Sequence, residues 1–222
     1  MAGGGGADQE ADAEMTGDGA GRTGWNHNLH YHRLVLRAVP VPCERALDAG
    51  CGDGTLAKKL ARQCGHVVGI DADGDMIRTA RTVTPLPANL ELVAGNALTA
   101  PLEPGSFDFV TAVASIHHME LEPALERFSA LLRPGGKFVV VGLYRPATLW
   151  DYLLRAAALP VSLALRRILT EEKVQARITE PRESLKEIRQ AAEAMLPGCS
   201  LRRLFFFRYW LEWRKTGERA DC

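Results

Sequence analysis

The sequence predicts an α/β fold: a seven-stranded, mostly parallel sheet with helices on both faces and an antiparallel strand at its C-terminal end. Three observations predict this fold. Short apolar segments alternate with segments of helical period along the middle of the chain. The apolar segments hold few polar residues, which is typical of strands buried on both faces. A glycine-rich turn joins the first predicted strand to the helix after it.

The parallel part of the sheet is predicted from five strand segments and the helices between them. A helix that begins near Leu34 comes first and ends at Pro40 and Pro42. A tight turn at Pro134-Gly135-Gly136 leads into the fifth strand. The strands are predicted at residues 46–49, 67–70, 90–94, 107–113 and 138–141. The helices between them are predicted at residues 56–61, 73–83 and 123–132.

The C-terminal segment has a different pattern. Ser184 and Glu187 have the spacing of a capping box, which predicts a helix whose apolar face continues to Met195. Residues 201–215 are rich in aromatic side chains that alternate with polar ones, which predicts one or two strands. Little room remains for a crossover helix, so the last strand is predicted to be antiparallel.

The length of 222 residues suits one domain with a tail. Residues 1–24 are glycine-rich and acidic and lack apolar periodicity, which predicts a disordered tail. The folded domain is then expected over residues 25–216. Within it, residues 145–180 are apolar and aromatic with arginines between them, which predicts a helical insertion.

Composition restricts the functional class. Basic and acidic residues number 27 each, so the charge balance does not favour nucleic acid as a partner. The five cysteines are scattered without a C-x-x-C pair, which disfavours a disulfide framework and a zinc site and suits the cytoplasm. The sequence shows neither a secretory signal nor an apolar run long enough for stable membrane insertion. We therefore expect a cytoplasmic protein.

The loop Asp48-Ala49-Gly50-Cys51-Gly52-Asp53-Gly54 indicates the kind of ligand. Dinucleotide sites have G-x-G-x-x-G, but the third glycine here is Gly54 and the position after it is Thr55. The lysine of a phosphate-binding loop is also missing. The carboxylate of Asp48 would repel a pyrophosphate and attract an ammonium group. The loop therefore suits a ligand that carries an amino group.

Two further positions extend this ligand. Asp71 ends the second strand, where a carboxylate can accept hydrogen bonds from both ribose hydroxyls. Asn96 follows the third strand and can offer its side-chain amide to an adenine edge, next to the backbone N–H of Ala97. An ammonium group, a ribose and an adenine in this order describe S-adenosylmethionine.

Residues 43–142 resemble the class I, Rossmann-like S-adenosylmethionine-dependent methyltransferases of the bacterial small-molecule type. The resemblance rests on ALDAGCGDGT, VVGIDADGDMI, LVAGNAL, FDFVTAVASIHHM and LLRPGGKFVVV. It implies that the methionyl part lies against the loop, the ribose on the acid of the second strand and the adenine beyond it. The cofactor-binding residues implied are Tyr31, Asp48, Gly50, Cys51, Gly52, Asp71, Ala72, Met76, Asn96, Ala97 and Val113.

Histidines are the candidate catalytic residues, because methylation of a hydroxyl or a protonated amine also requires the loss of a proton. His117 follows the fourth strand and is the first candidate, and His32, in the segment before the first predicted strand, is the second. The alternative for His117 is a packing or capping role under the cofactor. Metal binding by His27, His30 and His32 is disfavoured because no acidic partner lies nearby, so no metal site is predicted.

The predicted function is methyl transfer from S-adenosylmethionine to a small-molecule acceptor by in-line displacement. In this family, residues 145–180 would shape the acceptor pocket, although a packing helix or an interfacial helix also fits their pattern. A nucleic-acid methyltransferase would carry an Asn/Asp-Pro-Pro-aromatic tetrad where this chain has Ala114-Ser115-Ile116-His117. A non-catalytic cofactor-binding or scaffold protein and a methyltransferase that acts on a macromolecule are the alternatives. The sequence leaves the oligomeric state open.

Overall fold

The computed structural model describes residues 27–83, 85–147, 180–204 and 207–217, with backbone alone for residues 27–30 and 83. The predicted tail and most of the predicted insertion at 145–180 lie outside these residues. The strands are β1 Arg45–Ala49, β2 His66–Asp71, β3 Leu90–Ala94, β4 Phe107–Val113, β5 Leu132–Leu143, β6 Ser200–Leu204 and β7 Arg208–Arg214. The helices are α1 His27–Ala38, α2 Thr55–Leu60, α3 Gly74–Val83, α4 Leu121–Leu131 and α5 Leu185–Met195. Among these residues, no helix has the length and apolar character needed to cross a membrane.

The seven strands form one sheet in the order β3-β2-β1-β4-β5-β7-β6. β7 runs antiparallel to both β5 and β6, and the other strand pairs are parallel. The predicted fold and its antiparallel C-terminal strand are therefore confirmed. The strand order reverses between β1 and β4, and in open α/β sheets ligands bind at such a reversal, beyond the carboxyl ends of the strands.

Helices cover both faces of the sheet. One face packs against α1, α2 and α3, through side chains such as Val35, Leu60 and Ile77. The other face packs against α4 and α5, through side chains such as Phe128 and Ile188. Strands between two such layers are buried on both sides, which explains their continuous apolar runs.

Two elements differ in extent from their predictions. Helix α1 begins at His27 rather than near Leu34. The prediction missed its first turns because they carry histidines and an asparagine, which give no apolar period. Strand β5 begins at Leu132, which pairs with Phe107 of β4. The next pair joins Phe109 to Lys137, so β5 has extra residues between the two pairs. The extra residues form a bulge that contains the predicted Pro134-Gly135-Gly136 turn, with Gly135 at φ 80.

The capping box predicted for the last helix is present. The Glu187 backbone N–H donates to Ser184 Oγ at 3.4 Å, and the Ser184 backbone N–H donates to the Glu187 carboxylate at 2.7 Å. These bonds satisfy two backbone groups that the first turn of α5 would leave without partners.

Replacing Phe128 by alanine is expected to lower the free energy of unfolding by about 3–5 kcal/mol. Phe128 is fully buried, and its ring centroid lies 5.7 Å from that of Phe138 across the interface between α4 and β5. Equilibrium urea unfolding measures the change. Val41→Ala is the control, because Val41 is 97% exposed and its truncation should leave the unfolding midpoint unchanged. Equal midpoints for both variants would contradict the packing described for this face.

Candidate active site

The glycine loop between β1 and α2 is tied to the carboxyl end of β2. Gly50, Gly52 and Gly54 have φ values of 76, 53 and 72, a region that side chains rarely adopt. The backbone N–H groups of Gly50 and Cys51 both donate to the carbonyl oxygen of Ile70, at 2.7 and 3.1 Å. The loop is therefore held in a sharp turn at the edge where the strand order reverses.

Ser115 links this loop to the end of β4. Its hydroxyl donates to the carbonyl oxygen of Ala49 at 2.6 Å in a buried position. A Cβ on Gly50 would collide with the Cβ of Ser115, so β1 and β4 approach closely only because residue 50 is glycine. The preceding residue, Ala114, has φ 53, an unfavourable value for a non-glycine residue. Such local strain is often found at functional sites.

Asp48 lies beneath the loop and is almost fully buried, with 1% of its surface exposed. Its Oδ2 has no hydrogen-bond partner among the described residues. Burial raises the pKa of Asp48 to about 7, and the charges of Asp71 and Asp53 add to this effect, while a backbone hydrogen bond from Ala57 opposes it. Asp48 therefore has an unused acceptor in a place where a cation would be strongly favoured.

Asp71 lies at the carboxyl end of β2, facing the same loop. Its Oδ2 accepts a hydrogen bond from the Gly52 backbone N–H at 2.8 Å, and its Oδ1 accepts one from the Asp73 backbone N–H at 2.9 Å. A carboxylate oxygen can accept more than one hydrogen bond, so both oxygens can still bind hydroxyl donors. Since Asp71 is only half-buried, a ligand can approach it.

The residues predicted to contact adenine are found in two places. Ala72 is exposed after β2, and Met76 in α3 is half-buried, with its Cε 3.7 Å from the position that a Cβ on Gly52 would occupy. Asn96 is exposed after β3, and its Oδ1 accepts a hydrogen bond from the Leu98 N–H at 2.9 Å, so its amide N–H groups are the ones available to a ligand. Ala97 is buried in the core, and only its backbone can meet a ligand.

Cys51 and Val113 are two other predicted cofactor residues. The side chain of Cys51 is buried with the core side chains, and its Sγ would lie 3.1 Å from a Cβ on Gly69. Cys51 can therefore reach a ligand through its backbone. Val113 is half-buried at the carboxyl end of β4, directly before the strained turn at Ala114.

The two histidines after β4 lie in a short 3-10 helix, Ile116–His118. Their ring centroids are 4.1 Å apart. His117 is buried, and its Nδ1 has no hydrogen-bond partner among the described residues. Burial lowers the pKa of His117 to about 4, with further contributions from His118 and Arg208. The exposed His118 also has a lowered pKa, mainly because its ring is partly desolvated, and the charge of Asp71 opposes this shift.

His32 lies in a different environment from His117. It packs against α2, where the Lys59 ammonium group donates to its Nδ1 at 3.3 Å. Burial lowers the pKa of His32 to about 4, Lys59 lowers it further, and Asp53 opposes the shift. Because Nδ1 already accepts this bond, Nε2 carries the proton of the neutral ring. His32 thus contacts α2, whereas His117 lies in the turn after β4, and both rings are neutral near pH 7.

Arg208 is a residue that the sequence did not single out. It begins β7 and is buried, and its guanidinium carbon lies 5.7 Å from the ring centroid of Tyr31 in α1. In the sequence it looks like one polar member of an alternating strand. Its position depends on the pairing of β7 with β5, which short-range patterns do not reveal.

Comparison with known proteins assigns the family. A profile described as a methyltransferase domain matches residues 47–140. Uncharacterised methyltransferases from Mycobacterium bovis and Mycobacterium tuberculosis are each 35% identical to this chain over 192 residues, which cover 86% of this chain and 96% of the relative. The chain belongs to the class I S-adenosylmethionine-dependent methyltransferases. Their methyl donor, S-adenosylmethionine, is therefore its cofactor.

Solved structures agree on the fold of this methyltransferase. The YcgJ protein from Bacillus subtilis has a TM-score of 0.59 and 22% identity, covering 79% of this chain and 71% of its own. The geranyl diphosphate C-methyltransferase from Streptomyces coelicolor A3(2) has a TM-score of 0.57 and 14% identity, covering 85% and 77%. That enzyme was solved with Mg²⁺, geranyl diphosphate and S-adenosyl-L-homocysteine. At these identities the likeness shows the fold.

The residues of this methyltransferase fit its cofactor. Asp48 has a buried oxygen without a partner among the described residues, which could accept from an ammonium group, and Asp71 has remaining acceptor capacity that could serve ribose hydroxyls. The open side of Gly52 is bordered by the flexible Met76, which can pack on an aromatic ring. When bound, S-adenosylmethionine supplies an electrophilic methyl group on a sulfonium centre.

Proposed function

We propose that this methyltransferase acts on a small-molecule acceptor that binds beyond the carboxyl ends of β4 and β5. The observation that carries the proposal is the buried His117, whose Nδ1 has no partner among the described residues and which lies two residues after the Ser115 that abuts Gly50. Tyr31, His117 and Arg208 are all buried, so an acceptor must enter a recess to reach them. Recessed sites of this kind suit small ligands.

For the cofactor we propose the following division of roles. Asp48 holds the ammonium group, and the backbone of Gly50, Cys51 and Gly52 lines the methionyl part. Asp71 accepts the ribose hydroxyls, and Val113 lies under the cofactor. Ala72, Met76, Asn96 and Ala97 surround the adenine, and Tyr31 closes the site from α1. Support comes from the oxygen of Asp48 that has no partner among the described residues, from the position of Asp71 beside Gly52 and from the nearness of the Met76 side chain to the open side of Gly52.

For the chemistry, we propose that His117 accepts the proton of the acceptor hydroxyl or amine. With its pKa lowered to about 4, the ring is neutral near pH 7 and can take a proton. The acceptor atom attacks the methyl carbon in line with the bond to sulfur, and the pair of electrons in that bond stays on sulfur. The rest of the protein positions the acceptor, and proximity of this kind can contribute about 7–11 kcal/mol.

A labelled-methyl screen tests the proposed acceptor class. Methyl transfer is measured to small alcohols, amines, acids and phenols, and separately to bulk protein, RNA and DNA, with an Asp71→Ala variant as the inactive control. We expect label in a small-molecule fraction that disappears with the variant. Label confined to protein or nucleic acid would favour a macromolecular acceptor. Tight binding of S-adenosylmethionine with no transfer to any fraction would favour a non-catalytic protein.

Replacing His117 by glutamine is expected to lower kcat roughly a hundredfold while S-adenosylmethionine affinity stays unchanged, because a general base contributes at least about that factor. With a pKa of about 4, the wild-type kcat/KM should stay flat as pH falls to about 5 and decrease below it, where the ring becomes protonated. Steady-state kinetics and calorimetry check both points.

The control is His118→Gln, because His118 is exposed beside His117 and should not exchange the proton. If His117→Gln keeps wild-type kcat, or if both variants lose activity equally, His117 is not the base.

A further inference from the structure

Cys43 and Cys64 lie side by side although they are far apart in the sequence. The thiol of Cys43 donates a hydrogen bond to the Sγ of Cys64 at 2.8 Å, in a buried position. Each cysteine comes two residues before a strand, Cys43 before β1 and Cys64 before β2. Since Arg45 and His66 pair in register, the two cysteines occupy matching positions at the amino-terminal ends of neighbouring parallel strands. The spacing of the cysteines along the chain does not reveal this pair.

The backbone around the two cysteines is held by hydrogen bonds. The Gly65 N–H donates to the carbonyl oxygen of Cys43 at 2.9 Å, and the side-chain amide of Asn89 donates to that of Cys64 at 3.0 Å. A Cβ on Gly65 would lie only 3.0 Å from the carbonyl oxygen of Glu44, so glycine at this position permits the close approach of the two chain segments. The fold of the backbone therefore holds the two sulfur atoms within a small movement of bonding distance.

The hydrogen bond gives the two thiols different reactivity. Because Cys64 accepts the S–H of Cys43, its thiolate is stabilised and its pKa is lowered, although burial and the charge of Asp108 oppose this shift. The pKa of Cys43 is raised, mainly because its proton is held in the same bond. Cys64 is therefore the thiol that ionises first. Cys43 and Cys64 keep 7% and 5% of their surface exposed, so a small oxidant can reach the pair.

We propose that Cys43 and Cys64 form a reversible disulfide when the protein meets a peroxide, so that the pair is a site of oxidative modification outside the active site. The Cys64 thiolate attacks one oxygen of hydrogen peroxide, the O–O bond breaks, and the leaving hydroxide takes up the proton that Cys64 lost. Cys43 then attacks the sulfur of the resulting sulfenic acid, the S–O bond breaks, and the hydroxyl group leaves as water with the proton of Cys43. Two thiols are oxidised, and one peroxide is reduced to two waters. A dithiol reductant such as dithiothreitol reverses the bond.

The disulfide closes a covalent loop around the cofactor-binding segment, because residues 43–64 contain β1, the glycine loop and α2. The bond lies before the amino-terminal end of β1, whereas the glycine loop follows its carboxyl end, so oxidation should leave S-adenosylmethionine affinity unchanged. Closing the loop removes conformational freedom from the unfolded chain. We expect oxidation to raise the unfolding temperature by roughly 5–10 °C.

Peptide mapping of the full chain tests the bond directly. The folded protein is treated with an equimolar amount of hydrogen peroxide, catalase removes the excess, and the remaining thiols are blocked with N-ethylmaleimide in denaturant. Trypsin then cleaves after Arg45 and Arg62, which places Cys43, Cys51 and Cys64 on separate peptides. We expect a cross-linked peptide that joins Cys43 to Cys64 as the main product and that disappears on treatment with dithiothreitol.

Cys199→Ser is the matched control, because Cys199 is a free cysteine that packs against the core on the other face of the sheet. It should keep the disulfide and the higher unfolding temperature, whereas Cys43→Ser should lose both. The mapping of the wild type decides the proposal even if Cys43→Ser is unstable. The proposal is overturned if both thiols stay free, if Cys64 is oxidised to sulfinic acid without a cross-link, or if the bond joins another cysteine. The same bond formed equally fast in protein unfolded by urea also overturns it, because the folded geometry would then not be its cause.

Discussion

Replacing Asp71 by alanine is expected to weaken S-adenosylmethionine binding by roughly 10²–10⁴-fold. A carboxylate that accepts hydrogen bonds from two ribose hydroxyls makes two charge-assisted bonds, each contributing about 1.5–3 kcal/mol. The sum of about 3–6 kcal/mol corresponds to that range of affinity. The variant also loses the bonds from the Gly52 and Asp73 N–H groups, which fix the shape of the glycine loop.

Isothermal titration calorimetry measures this change, and Asp73→Ala is its control. Asp73 likewise accepts two backbone hydrogen bonds, from the N–H groups of Asp75 and Met76 at 2.9 and 3.2 Å. Its loss should affect the first turn of α3 but weaken cofactor binding less than tenfold. Asp71→Asn keeps one acceptor oxygen and should fall between the two. Unchanged affinity of Asp71→Ala, or equal losses in both alanine variants, would refute the ribose assignment.

Local patterns were enough to predict most of the parallel sheet. Strands such as β3 and β4 are bounded by residues whose effects are local, and the predicted limits of both match the structure. The limits of β5 could not be predicted, because its first residue pairs with Phe107 across a bulge that depends on a distant strand. The start of α1 was missed because its first turns lack an apolar period.

The same distinction between local patterns and contacts across the sheet applies to the residues of the candidate site. Asp48 and Asp71 were candidates from the sequence because an acid near the end of a strand suits an ammonium group or a ribose. Ser115 and Arg208 were not, because the significance of each lies in contacts across the sheet: the hydroxyl of Ser115 with Ala49, and the guanidinium of Arg208 with Tyr31. Such contacts depend on which strands are neighbours, and sequence spacing alone does not determine the strand order.

Asp48→Asn is expected to raise stability and weaken cofactor binding at the same time. Folding raises the pKa of Asp48 from 3.8 to about 7. Below pH 4 the carboxyl is protonated in both the folded and the unfolded state, so it does not oppose folding. As pH rises from about 4 through about 7, the unfolded carboxyl ionises freely while the folded protein must ionise a buried group. The free energy of unfolding of the wild type therefore falls over this range. A pKa difference of about 3 corresponds to about 4 kcal/mol, so without cofactor Asp48→Asn should be more stable than wild type by up to about that amount at pH 8, and by little at pH 4.

With bound cofactor, the wild type should be the more stable of the two proteins. An ammonium group beside Asp48 favours the ionised carboxylate and lowers its pKa, so binding near pH 7 should release a proton from the wild type. That proton can be detected by calorimetry in buffers with different enthalpies of ionisation. The asparagine variant has no proton to release at this position and cannot pair with the ammonium group, so its affinity should fall at least tenfold at pH 8.

Thermal unfolding at pH 4, 6 and 8, with and without S-adenosylmethionine, separates the two effects. Asp53→Asn is the control, because Asp53 belongs to the same loop but is exposed, so its amide should change stability little at any of these pH values. An Asp48→Asn variant that is less stable than wild type at pH 8 without cofactor would show that Asp48 has a partner which stabilises its charge. A variant that is more stable yet binds the cofactor as tightly as wild type would show that the ammonium group lies elsewhere. The two predicted signs are opposite because the same buried oxygen opposes folding when empty and favours binding when paired with a cation.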